Sequence, residues 1–139
     1  MEEEAKLFLA LADETRLRIL NLLVHGEVCV NALTNILCES QPKISRHLAF
    51  LKKAGLVNSR REGKWIYYKM TEVNDEKLKA ILDNLFAWLS NNEKIKKDYE
   101  KLLKMQSSFE KGLNKRNNIC AQADMIKEKD KIELEVYLL

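Results

Sequence analysis

The hydrophobic period of this chain changes twice, and the two changes bracket one short hairpin. From Thr15 the apolar residues fall at Leu17, Ile19, Leu20, Leu22, Leu23 and Val24, which is helical spacing. Between Val57 and Met70 the period drops to two, in two runs either side of Glu62-Gly63-Lys64. From Leu78 it is helical again, through Ile81, Leu82, Leu85, Phe86 and Leu89. A β-hairpin with glycine in its turn is thus set inside an otherwise helical chain. Four glycines and one proline in 139 residues exclude an all-β protein, which needs many turns, and a disordered one.

The helices have readable ends. Residues 2–12 form a short first helix, and Asp13 is the N-cap of the next, which stops at His25-Gly26. A third helix covers Val30 to Leu37. Ser40 caps a fourth, with Pro42 in its first turn, where a missing N–H costs little. Ile44, Leu48 and Leu51 turn one face of this helix to the core. Gln41, Lys43, Ser45, Arg46 and Lys52 occupy the other, and Gly55 closes it. A further stripe runs Ile95, Tyr99, Leu102 towards Phe109 and Leu113. Residues 114–131 are polar without a period, and Ile132, Leu134, Val136 and Leu138 alternate like a late strand. We expect a domain over residues 1–105 and a C-terminal extension over 106–139.

Charge is concentrated. Residues 1–39 carry three basic and seven acidic side chains, and residues 71–139 carry thirteen of each. Residues 40–70 carry eight basic side chains against Glu62 alone, so the whole excess lies in one window. Such a patch is the footprint of a phosphate-binding surface, or else a solvated helix face. The order of elements favours the first. Two short helices, a polar-faced helix and a basic hairpin are the layout of a winged helix-turn-helix. The polar face of a helix can reach base edges in the major groove. Arg60, Arg61 and Lys64 near the hairpin tip can reach phosphates or the minor groove. Tyr67 and Tyr68 are read as wing packing, because alternating aromatics on a strand usually face a core.

Three blocks, DETRLRILNLL (13–23), SQPKISRHLAFLKKAGLV (40–57) and RREGKWIYYKM (60–70), occur in the order and spacing of a known family. Over residues 5 to 105 the chain resembles the ArsR/SmtB family of bacterial metal-responsive repressors. The resemblance implies a mainly α, dimeric winged helix-turn-helix, with the first helix and the one after the wing at the dimer interface. It implies repression by binding double-stranded promoter DNA, with release by an inducer. It places Gln41, Lys43, Ser45, Arg46 and His47 at recognition-helix positions. Arg46 is the first choice for a base edge, Gln41 can pair with adenine, Lys43 can bind phosphate, and His47 is either a reader or a packing residue.

The arsenic-type box of the family carries two thiols, and here its run reads Glu27-Val28-Cys29-Val30-Asn31-Ala32-Leu33. Cys29 matches the first thiol and Asn31 replaces the second. Trivalent arsenic and antimony favour three thiolates, so As(III) or Sb(III) at Cys29 needs help from Cys120, and from Cys38 if the chain turns between Cys29 and Cys38. The alternative keeps Cys38 as a small buried residue and Cys120 as an incidental thiol. A zinc-type site after the wing is not expected, because His25 and His47 are the only histidines.

No phosphate loop, ligand cluster or nucleophile motif points to an enzyme, and no resident cofactor is required. The longest apolar run, Leu7 to Ala12, is too short for a bilayer, and the acidic N-terminus is unlike a leader. Three scattered cysteines suggest free thiols in a reducing cytoplasm. The sequence therefore reads as a homodimeric, thiol-responsive DNA-binding repressor. The alternative is a thiol-redox-responsive or inducer-free regulator of the same fold, and an RNA-binding winged helix ranks below both.

Overall fold

A computed structural model describes residues 1–111, with side chains described through residue 107. The order of elements is α1 (Glu2–Leu11), α2 (Glu14–Leu23), β1 (Val28–Cys29), α3 (Val30–Leu37), α4 (Gln41–Lys53), β2 (Val57–Glu62), β3 (Trp65–Met70), α5 (Glu76–Leu89) and α6 (Glu93–Lys111).

The polar punctuation acts where it was expected. The Asp13 side chain accepts from the Arg16 N–H and starts α2, and Ser40 Oγ accepts from the Lys43 N–H and starts α4. Asp75 caps α5 through the N–H groups of Lys77 and Leu78. Gly63, at φ 59°, supplies the left-handed residue of the hairpin turn.

The core lies between α2, α3, α4 and the sheet. Ile19, Leu20, Leu33, Ile36, Ile44, Leu48 and Leu51 have no exposed surface. Tyr67 and Tyr68 are half-buried against this core, as the strand alternation suggested.

One feature departs from the sequence reading. The hairpin is part of a three-stranded antiparallel sheet in the order β1-β3-β2, with Val28 opposite Tyr68 and Cys29 opposite Tyr67. A two-residue strand is too short to show a period, so β1 was not seen. The last described helix, α6, runs on through residue 105 to Lys111. It buries Ile95, Asp98, Leu102 and Met105, and it packs on α2 and α3. Arg18 of α2 grips Asp98 with Nε to Oδ2 at 2.8 Å and Nη2 to Oδ1 at 2.9 Å. Lys101 Nζ donates to the Ile36 carbonyl at 3.2 Å, placing a cation at the C-terminal end of α3. The expected late strand and Cys120 lie outside the described residues.

Candidate nucleic-acid interface

The turn between α3 and α4 is made by Cys38, in the left-handed region at φ 54°. It ends α3 so that α4 crosses it and shows its polar face outward. Gln41, Ser45, Arg46 and Ala49 are exposed on that face. Arg46 makes no protein hydrogen bond or ion pair among the described residues. Lys43 is half-buried, and its Nζ lies 3.0 Å from Glu39, so part of its charge is already balanced.

His47 does not share the outer face. Its side chain is 18% exposed, with Nδ1 3.4 Å from Arg16 Nη1 and 3.8 Å from Asp13 Oδ1. Between the two readings offered by sequence, its position is that of a packing residue. The Asp13 carboxyl is pushed up by burial. The Arg16 N–H and the charges of His47 and Arg16 outweigh this and hold it below the usual aspartate value.

The wing separates its three basic residues. Arg60 was expected to meet DNA, but its guanidinium is committed within the protein. Nε lies 2.9 and 2.8 Å from the two Glu27 oxygens, Nη2 lies 2.5 Å from Glu27 Oε1, and Nη1 lies 2.8 Å from Glu62. It also sits over the Tyr67 ring at 4.4 Å. Two carboxylates offset its charge, so Arg60 anchors the wing to the α2–β1 turn. Arg61 and Lys64 remain outward. Arg61 Nε donates to the Gly63 carbonyl at 3.2 Å, and Lys64 lies 4.6 Å over the Trp65 ring. A small cleft of about 80 Å³ opens between the start of α4 and the wing, with Gln41 and Ser45 facing Lys64, Trp65 and Ile66. Lys52 Nζ donates to Ser59 Oγ at 2.7 Å and ties the far end of α4 to β2.

Cys29 and Cys38 stand at opposite ends of α3. Cys29 is 1% exposed, opens α3, and is disulfide-bonded, contrary to the expectation of free thiols. Cys38 is a free, exposed thiol at the other end of α3, so the reading of it as a buried residue is corrected. The eight residues of α3 span about 12 Å, and no turn brings the two sulfurs together. Within one chain Cys38 therefore cannot share an ion with Cys29. Among the described residues no group of three His, Cys, Asp or Glu side chains could hold a metal ion.

An uncovered polar helix face beside a basic wing defines a winged helix-turn-helix transcriptional regulator. Residues 13–59 match the bacterial regulatory proteins of the arsR family. An arsenical resistance operon repressor of Escherichia coli (strain K12) is 40% identical over 117 residues, covering 84% of this chain and 94% of that one. The chain belongs to this family. An arsenic resistance transcriptional regulator of Pseudomonas putida is 49% identical over 88 residues, 60% of this chain and 69% of that one. Among solved structures, HlyU of Vibrio cholerae superposes with a TM-score of 0.54 at 34% identity, covering 62% of this chain and 94% of that one. A homodimeric winged helix-turn-helix domain from Mycobacterium bovis gives 0.54 at 32% identity, covering 66% and 86%.

Proposed function

We propose that this repressor binds promoter DNA as a homodimer and is released when a thiol-binding inducer, As(III) or Sb(III), engages Cys29. The observation that carries the DNA reading is the cleft between α4 and the wing, where Gln41 and Ser45 face Lys64. Groove-reading groups and a phosphate-reaching cation stand side by side there. Gln41, Ser45 and Arg46 read bases, while Lys43, Arg61 and Lys64 position the backbone. The homodimer is supported by the homodimeric relative and by apolar side chains left uncovered on α1 and α5, among them Phe8, Leu9, Ile81 and Trp88. With no helix among the described residues long and apolar enough to cross a membrane, cytoplasmic action on DNA fits.

The inducer reading rests on the arsenic-resistance relatives and on the place of Cys29. It sits in β1 opposite Tyr67 and at the first turn of α3, so a ligand there pushes on both the wing and the helix-turn-helix. One soft thiolate is too few for tight arsenite binding, so Cys120 is the proposed second ligand. The disulfide at Cys29 favours a second reading, release by oxidation.

The test is fluorescence anisotropy of fully reduced protein on its own promoter DNA, titrated with arsenite, beside Cys29→Ser and Cys120→Ser. Release by arsenite that is lost in both variants is the expected result. Release lost only in Cys29→Ser removes Cys120 from the site. Binding indifferent to arsenite but abolished by oxidant, and restored by reductant, replaces the metalloid with a redox signal.

A further inference from the structure

The Arg16 guanidinium reaches two elements besides its own helix. Nε donates to the Ala10 carbonyl at 2.8 Å, and Nη2 donates to the Leu9 carbonyl at 3.1 Å. Both carbonyls belong to the last turn of α1, where helix acceptors lack partners and a cation is favoured. The last turn of α1 has no basic residue of its own, so α2 supplies the cation. The same guanidinium lies 4.3 Å over the Phe50 ring, and its Nη1 is 3.4 Å from His47 Nδ1. Phe50 and His47 belong to α4. Asp13 accepts from the Arg16 N–H at 3.0 Å and faces His47 from the other side.

Beside this node the facing surfaces of α1 and α4 part. An open groove of about 360 Å³ runs between them, lined by Glu3, Lys6, Leu9, Phe50, Lys53 and Ala54. The two helices do not interdigitate along this groove, and the Arg16 node joins them at one end of it.

We infer that Arg16 is a positioning residue for DNA reading, holding α4 at a set attitude to α1 and hence at a set distance from the reading helix of the second copy. The inference rests on the proposed dimer, in which α1 is an interface helix. A twofold dimer reads two half-sites roughly 34 Å apart, so an α4 free to rock tolerates altered spacing. Arg16 acts through Phe50 and His47 rather than by touching DNA.

The experiment uses a duplex that the wild-type protein selects from a randomised pool, and the same duplex with one base pair inserted between its half-sites. Anisotropy gives the ratio of the two dissociation constants for wild type, Arg16→Lys and Phe50→Leu, all fully reduced. Lysine keeps the charge but cannot fork between two carbonyls and a ring. Phe50→Leu removes the ring and leaves the bonds to α1 intact. We expect a clear spacing penalty in wild type and a ratio at least about fivefold smaller in both variants, the scale of a modest coupling between sites. Variants that melt lower but keep the wild-type ratio give Arg16 a merely structural role and overturn the inference. If Arg16→Lys does not fold, the Phe50→Leu ratio decides alone. A wild-type protein without any spacing penalty overturns the twofold reading, and the inference with it.

Discussion

Arg60 and Lys64 stand on the same hairpin and have different surroundings. Glu27 and Glu62 surround the first, while the second lies over an aromatic ring at the mouth of the cleft and makes no ion pair among the described residues. Charge run and spacing made them equivalent in sequence, because Glu27 is 33 residues away from Arg60. The same distance effect hid the fate of His47, which is decided by Asp13 and Arg16 on another helix. Arg46 was legible, since its place on the polar face of α4 follows from helical spacing alone. Arg46→Ala is expected to lose sequence preference, with operator affinity falling by about 1–3 kcal/mol while random DNA changes little. Lys64→Ala is expected to weaken operator and random DNA alike and to reduce the salt slope by about one. Anisotropy titrations over a series of salt concentrations check both, and equal effects of the two changes on operator and random DNA overturn the assignment.

Among the elements, α6 shows most clearly what periodicity can and cannot reveal. Ile95 and Leu102 announced an amphipathic helix. Nothing in the pattern announced that Asp98, one turn from each, is 3% exposed. A charge on a helix reads as solvent-facing unless its partner is known, and Arg18 lies 80 residues away. Removing the carboxylate leaves Arg18 partly buried without its partner. Asp98→Ala is therefore expected to cost about 3 kcal/mol, the lower end for breaking a buried pair. Urea unfolding checks the value. Amide exchange is expected to rise first along α6, because this pair, the Lys101 bond to Ile36 and a single apolar stripe dock it on α2 and α3. The α3 helix carries the opposite lesson. Its bounds were legible to the residue, and they alone separate Cys29 from Cys38, since eight residues of straight helix cannot bring its two ends together.

At the scale of the molecule the uncovered surface matters as much as the core. Trp88 is 74% exposed, Ile81 46% and Leu9 59%, more apolar area on α1 and α5 than a lone winged domain of this size conceals. The apolar stripe on α5 was visible in the sequence as a candidate dimer face, and only Leu82 of α5 is buried within the chain. Trp88→Lys is expected to raise the dimer dissociation constant by at least about tenfold, since a buried tryptophan is a typical interface anchor. Analytical ultracentrifugation checks this, and an unchanged dimer places the interface elsewhere. The residue order by itself determined the helices, their caps, the hairpin and the exposed edge of α4, because each follows from spacing and capping within a few neighbouring residues. Tertiary structure alone decided the third strand, the inward turn of His47, the pairing of Arg60 with two carboxylates and the buried Arg18–Asp98 pair. Each of these depends on which distant residues the folded chain brings within a few ångströms, and a one-dimensional pattern carries no distances of that kind.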